Sequence, residues 1–251
     1  MSQANTPTQS LYTALQQAFD HFNHELFNGE LPQCMITLRS ASKTHGYHHA
    51  ERFISGKGDL VDEIGIHPGY FSLESVETVL STLVHEMVHH WQQHFGTPSK
   101  MNANHNREWA DKMFEIGLQA SNTGLPGGKQ TGRSMSDYIL PDGKFLDSCK
   151  RLLEADFQLP WMDRHAPQPP QTAMARQQAL VDAGVKLELS EAPSSSLPES
   201  IGERPTLFEP PPPREKTRFR FKCPTCRTNA WASAETRIVC GECMEPMEMQ
   251  D

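Results

Sequence analysis

The sequence predicts an α+β fold: helices packed on a small sheet, followed by a separate, small, metal-held module. Three observations carry this. A long helical period runs from Val76 to Trp91 and carries paired histidines, with Trp109, Met113 and Ile116 repeating the period further on. Three short strand candidates lie between this helix and an earlier one. A proline-rich polar stretch then separates everything before it from four cysteines near the C-terminus.

The elements follow in order. Residues 1–10 are polar and expected to be disordered. Leu11, Leu15, Ala18, Phe19, Phe22, Leu26 and Phe27 keep a helical period that Asn28-Gly29 stops. Cys34 to Leu38, Gly46 to Ile54 and Glu63 to Ile66 read as strands, the last closed by His67-Pro68-Gly69. The long helix has Ser72 as its expected N-cap, and Gly96 and Pro98 end it. Arg107 to Ile116 reads as a further helix. Ser121 to Gly143 is rich in glycine and expected to be a mobile loop, and Ser148 to Phe157 reads as a short helix. The folded domain is expected to span residues 11–161. Residues 162–213 hold many prolines among Gln, Ser and Glu, too little apolar surface to offset ordering entropy, and are expected to be a disordered linker. Residues 214–251 form the last module.

Composition narrows the function. The 251 residues carry a formal charge of −8, which argues against a globally basic nucleic-acid binder but not against a local basic patch. No run approaches the roughly 20 apolar residues of a spanning helix, and the polar start lacks the apolar core of a secretory signal. The expectation is a cytoplasmic protein with no membrane partner. Nothing in the sequence speaks to oligomeric state.

The chemistry concentrates in His85-Glu86-Met87-Val88-His89. Positions i and i+4 share a helix face, so His85 and His89 can meet one metal ion. Glu86 stands beside them as a general base, the zincin arrangement. A catalytic zinc takes three protein ligands; His105, at a helix start, is the best third, with His67, His49 and Glu108 as alternatives. His90 and His94 repeat the spacing without a following carboxylate and are read as surface or supporting residues. Candidates to hold an oxyanion are His45, Tyr47, His48 and Tyr138.

A second metal signal is Cys223-x-x-Cys226 and Cys240-x-x-Cys243, with thirteen residues between the pairs. Four thiolates at this spacing predict a closed structural zinc site, a zinc ribbon. The expected cofactor is Zn2+, two ions per chain, one catalytic and one structural. Arg214, Lys216, Arg218, Phe219, Arg220, Phe221 and Lys222 lead into the cysteines. Basic residues interleaved with aromatics suit nucleic acid through phosphate contact and base stacking, with Arg218 to Lys222 as the expected contact.

These residues together resemble the SprT-like family, which includes the eukaryotic Spartan proteases. The resemblance rests on His85 to His89 with Met at the first variable position, on His105-Asn106-Arg107-Glu108-Trp109, and on the C-terminal cysteines. It covers roughly Leu11 to Trp161 and Cys223 to Met247. It implies that His105 is the third zinc ligand. Asn106 stands where the family usually has Gly, and Trp109 where it usually has Phe. The resemblance also implies a zinc-dependent endopeptidase whose protein substrates are bound or crosslinked to DNA. The alternative is a nucleic-acid-associated zinc adaptor with little or no proteolytic activity.

Overall fold

Thr6 opens the first helix, α1 (Pro7–Phe27), through a capping box. Its side chain accepts from Gln9 N–H while the Gln9 side chain accepts from the Thr6 backbone. With Pro7 in the first turn, this starts the helix four residues before Leu11. The expectation of disorder over residues 1–10 is thus corrected for Pro7 to Ser10. The computed structural model describes residues 6–40, 44–99, 104–163, 178–190 and 217–250. The rest of that expectation, residues 1–5, lies outside them, as do most of the linker, Arg214 and Lys216. The chain divides into two compact units, Met1–Pro210 and Pro211–Asp251.

In the first unit β1 (Met35–Leu38) and β2 (Gly46–Ile54) flank β3 (Leu60–Ile66), parallel to β1 and antiparallel to β2. β3 begins three residues before the expected strand, which brings Asp62 into the sheet. Alternation splits the sheet faces. Asp62, Ile64 and Ile66 share one face with their β2 neighbours His48 and Gly46, and the long helix α2 (Val76–Phe95) lies against it. Glu63 and Gly65 share the other face with Tyr47, whose ring lies over Gly65.

Ser75, not Ser72, caps α2 by accepting from Thr78 N–H. Ser72 sits buried in the turn after a short 3-10 helix, Pro68–Tyr70. α3 (Arg107–Glu115) is capped by Asn106, which accepts from Trp109 N–H at 3.0 Å. That cap gives Asn106 a use which glycine would not serve. The glycine-rich stretch is not wholly loop: β4 (Leu118–Ser121) leads into it and pairs with β5 (Ser136–Ile139), which lies inside it. α4 (Lys144–Glu154) starts four residues before the expected helix and packs on α1, with Phe145 stacked on Phe22 at 5.5 Å. Core side chains from α1, α2, α3 and α4 are fully buried, among them Phe19, Phe22, Leu80, Met87, Met113 and Phe145.

The linker expectation also needs a correction. Leu187 and Leu189 pack against the core, and Ser190 donates from N–H and hydroxyl to the buried Glu77 in the first turn of α2, at 3.0 and 2.8 Å. Two leucines at alternating positions bury one face of an extended segment, and Ser190 satisfies a carboxylate that burial would otherwise strand.

The second unit holds β6 (Phe219–Lys222), β7 (Asn229–Ala232) and β8 (Glu248–Gln250) in the order β7-β6-β8, all antiparallel. Each Cys-x-x-Cys closes the same turn. Arg227 N–H donates to Cys223 O at 3.0 Å and Met244 N–H to Cys240 O at 2.8 Å, and both residues take positive φ (62° and 57°).

Candidate metal centre

α2 places His85 and His89 one turn apart, and the start of α3 brings His105 to them. Their ring centroids stand 5.3, 5.6 and 4.6 Å apart, and one ligand atom from each lies within 4.8 Å of the others. His85 and His105 each commit one nitrogen outward. His85 Nδ1 lies 2.9 Å from Asp137 Oδ1 and His105 Nδ1 lies 3.1 Å from Gly132 O. An acceptor on one ring nitrogen fixes the tautomer and leaves the other as a lone pair, the usual support of a metal-binding histidine. His105 is held further by a two-way backbone bridge with Gly132. Trp109 forms the floor: its ring stacks on His89 at 5.2 Å and meets His85 and His105 edge-on. Its Nε1 is buried and finds no acceptor among the described residues.

The electrostatics favour the neutral, ligand-competent ring at His89 and His105 and the cation at His85. Burial pushes His89 well below the ordinary histidine range, and His85 and His105 add to this. Burial and His85 bring His105 down to about 4, against the pull of Gly132 O and Asp137. Burial also disfavours the cation at His85, but the Asp137 hydrogen bond and the charges of Glu86 and Asp137 outweigh it and raise its pKa. Glu86 is 6% exposed; burial, with Asp137 and against His85, pushes it up to about 7. A divalent cation fits this site: it would take the place of the proton that His85 favours and would stabilise the Glu86 carboxylate that burial disfavours.

The alternatives for a third ligand are engaged elsewhere. His67 Nδ1 accepts from Gly69 N–H, His49 packs on Tyr47, and Glu108 accepts from Gln92 and Thr97 N–H. Tyr47 donates to Glu63 on the outer sheet face, His48 turns to Asp62, and His45 stacks on Tyr70 beside Glu74. Tyr138 alternates with Asp137 on β5, so it faces away from His85. The sequence reading missed Asp137, Gly132 and Gly46. A Cβ at Gly46 would come within 2.9 Å of Glu86 Oε1. Of these, Gly46 carried a signal: a glycine in a strand pattern, here its first residue, marks close approach of another group.

In the second unit the sulfurs of Cys223, Cys226, Cys240 and Cys243 also lie within 4.8 Å of one another. Hydrogen bonding by Thr228 brings the Cys226 thiol down to about 6, while the hydrogen bond with Cys226 pushes Cys243 up to about 12, so Cys226 is the readier thiolate of the two. The expected nucleic-acid strip divides. Phe221 is buried under the sheet and Phe219 shares its side, while Arg220 and Lys222 point the other way. Opposite Arg220 on β7 stands Trp231, 61% exposed. Arg218, just before β6, is exposed. The aromatic beside the basic side chains is Trp231 rather than either phenylalanine.

Among the described residues, no helix is long and apolar enough to cross a membrane. Residues 15–128 match the SprT-like family. The chain is 48% identical over 61 residues to an uncharacterized protein in the mucB 3' region of Salmonella typhimurium, a stretch that covers 24% of this chain and 82% of that one. No solved structure matches. A match that takes in α2 and α3 with all three histidines, and a relative covered over most of its length, place this chain in the SprT-like family.

Proposed function

We propose that the chain is a zinc-dependent endopeptidase that acts on proteins bound or crosslinked to DNA. The observation that carries the reading is the convergence of His85, His89 and His105 with Glu86 beside them. These three histidines would hold the catalytic zinc, which supplies a Lewis acid and acidifies water. Glu86 accepts the proton of the attacking water and delivers it to the leaving amine. Its burial keeps bulk water from competing for that proton. Asp137 and Gly132 O hold the His85 and His105 rings in the ligating tautomer. A protein substrate suits the surroundings: among the described residues β2 pairs on one side only, so an extended peptide can add to its rim beside α2.

The four cysteines would hold a structural zinc, giving the second unit the character of a zinc ribbon. Arg218, Arg220, Lys222 and Trp231 offer phosphate and base contacts. That recruits the protease to DNA-associated substrates in the cytoplasm or nucleoid. The test is incubation with a DNA-binding protein, with and without DNA, comparing wild type with Glu86→Gln. Cleavage is expected in wild type, rising with DNA, and absent in the variant. Equal cleavage by both proteins would remove Glu86 from the mechanism.

A further inference from the structure

α2 carries a second histidine pair, His90 and His94, five positions after the first and so turned about 140° around the axis. His90 is fully buried, whereas His94 remains partly exposed. His48 Nε2, His90 Nδ1 and His94 Nε2 converge on one atom, Asp62 Oδ2, at 2.8, 2.8 and 3.1 Å. We propose that His48, Asp62, His90 and His94 form a second metal site in the first unit, one that takes a borderline divalent cation such as zinc.

Three features separate this cluster from an ordinary buried ion pair. First, three ring nitrogens share one carboxylate oxygen, which has lone-pair directions for about two donors. The second oxygen, Oδ1, is already used by Glu51 N–H at 2.8 Å. Glu51 has φ 49° inside a bulge of β2, and the bulge frees its N–H from the ladder. Asp62 is thereby oriented with Oδ2 toward the histidines. Second, both nitrogens of His90 face oxygen acceptors, Pro32 O at 2.9 Å and Asp62 Oδ2. With Pro32 O anchoring Nε2, His90 presents Nδ1 to the Asp62 carboxylate, a pairing that a bridging cation, proton or metal, satisfies. This is the same outward anchoring on a backbone carbonyl that His105 has. Third, one ligand atom each from His48, Asp62 and His90 lies within 4.8 Å of the others, and His94 joins this trio through Asp62 Oδ2.

Three imidazoles and one carboxylate suit zinc, cobalt or nickel better than calcium or magnesium, which prefer all-oxygen surroundings. Asp62, His90 and His48 are almost closed off, with side-chain exposures of 2%, 1% and 9%, and His94 is 35% exposed. Three closed-off donors with His94 at the more open edge describe a structural site. It would tie β2, β3 and α2 together on the side of the helix turned away from His85 and His89. No step of proteolysis passes through it.

The test is metal content of the full-length protein after dialysis against zinc-buffered solution, with cobalt substitution as a second readout. Wild type is expected to hold three zinc ions, and His48→Asn and Asp62→Asn two each. His85→Ala should also hold two, and the His48→Asn/His85→Ala double variant one. The cobalt protein should lose a distinct set of visible bands in His48→Asn. His94→Ala alters an exposed position and spares the fold; it should weaken the third equivalent at least about tenfold without touching the other two. Two zinc ions in wild type, unchanged in His94→Ala and His48→Asn, would overturn the proposal and leave a proton-bridged histidine–carboxylate cluster. The count does not depend on proteolysis, so an inactive protein with three ions would fail the functional reading and support this one.

Discussion

The three-histidine centre and the four-cysteine unit gather metal donors by opposite means. His85 and His89 ride on a helix whose other faces are buried through Leu80, Leu83, Val84, Met87 and Val88, each 2% exposed or less. His105 is anchored by an N-cap and a backbone bridge. The packing of the first unit itself holds these donors together. Among the described residues of the second unit, the buried hydrophobic side chains are Phe221 and two of the cysteines themselves, Cys223 and Cys240. So little apolar area cannot offset the ordering of three strands. On the proposed zinc reading, the first unit folds and thereby makes a site, whereas the second would need its site filled before it folds.

The comparison breaks most visibly at the cysteines. Cys226→Ser, or a strong chelator, should unfold the second unit, since metal binding contributes on the order of 10 kcal/mol to such modules. The first unit should stay folded. Amide exchange across both units reads this directly, and protected β6–β8 amides in Cys226→Ser would erase the distinction.

At Glu86 the prediction is chemical, with a stability signature. Glu86→Gln should keep its metal yet lose roughly 10²–10⁴-fold in rate. In metal-free protein the carboxyl stands at about 7 against an ordinary 4.5. A folded pKa above the unfolded one means that the unfolded chain holds fewer protons, so stability falls as pH rises through this window. The displacement is worth roughly 3 kcal/mol. Metal-free Glu86→Gln should therefore be more stable than wild type by about that much at pH 8, with the difference gone near pH 4. Denaturant melts at the two pH values decide it.

Asp137→Asn removes the charge behind His85 while preserving shape. Zinc affinity at the histidine centre should fall roughly 10–100-fold, measured by competition with a chromophoric chelator, with the cysteine site unchanged. Smaller again is the DNA effect. Changing Arg220 and Lys222 to Ala should lower the salt slope of DNA binding by about 2, and Trp231→Ala should weaken binding at all salt concentrations. Phe219→Ala should do neither. If it matches Trp231→Ala, the two faces of β6 have been assigned the wrong way round.

How much of this the sequence disclosed follows from which interactions are local. His85, Glu86 and His89 were legible because the helical period alone puts them on one face. The cysteine pairs were legible for the same reason of spacing. Asp137 was not: it lies 52 residues from His85 and reaches it only because β5 pairs with β4. The His90 pair was visible, but its meaning depends on Asp62, which enters from a strand that begins earlier than its apolar run. Phe219 and Phe221 show a different failure. Strand alternation, present in the sequence, already separates them from Arg220 and Lys222; reading the run as one mixed surface overlooked that period. Asn106 and Trp109, departures from the family pattern, became intelligible only as a helix cap and as the floor beneath three rings.

Gly46 has a consequence for engineering. It is the first residue of the rim strand, and a methyl group there would press on the Glu86 carboxylate and on Thr82 Cγ2, at 2.9 and 3.0 Å. Position 46 therefore works as an adjustable stop. Alanine would lean the base aside by a few tenths of an ångström while charge, metal donors and outer hydrogen bonds stay as they are. Because rates respond steeply to misplacement on this scale, Gly46→Ala should give a slowed protease with a full metal complement, a graded brake where Glu86→Gln is an off switch.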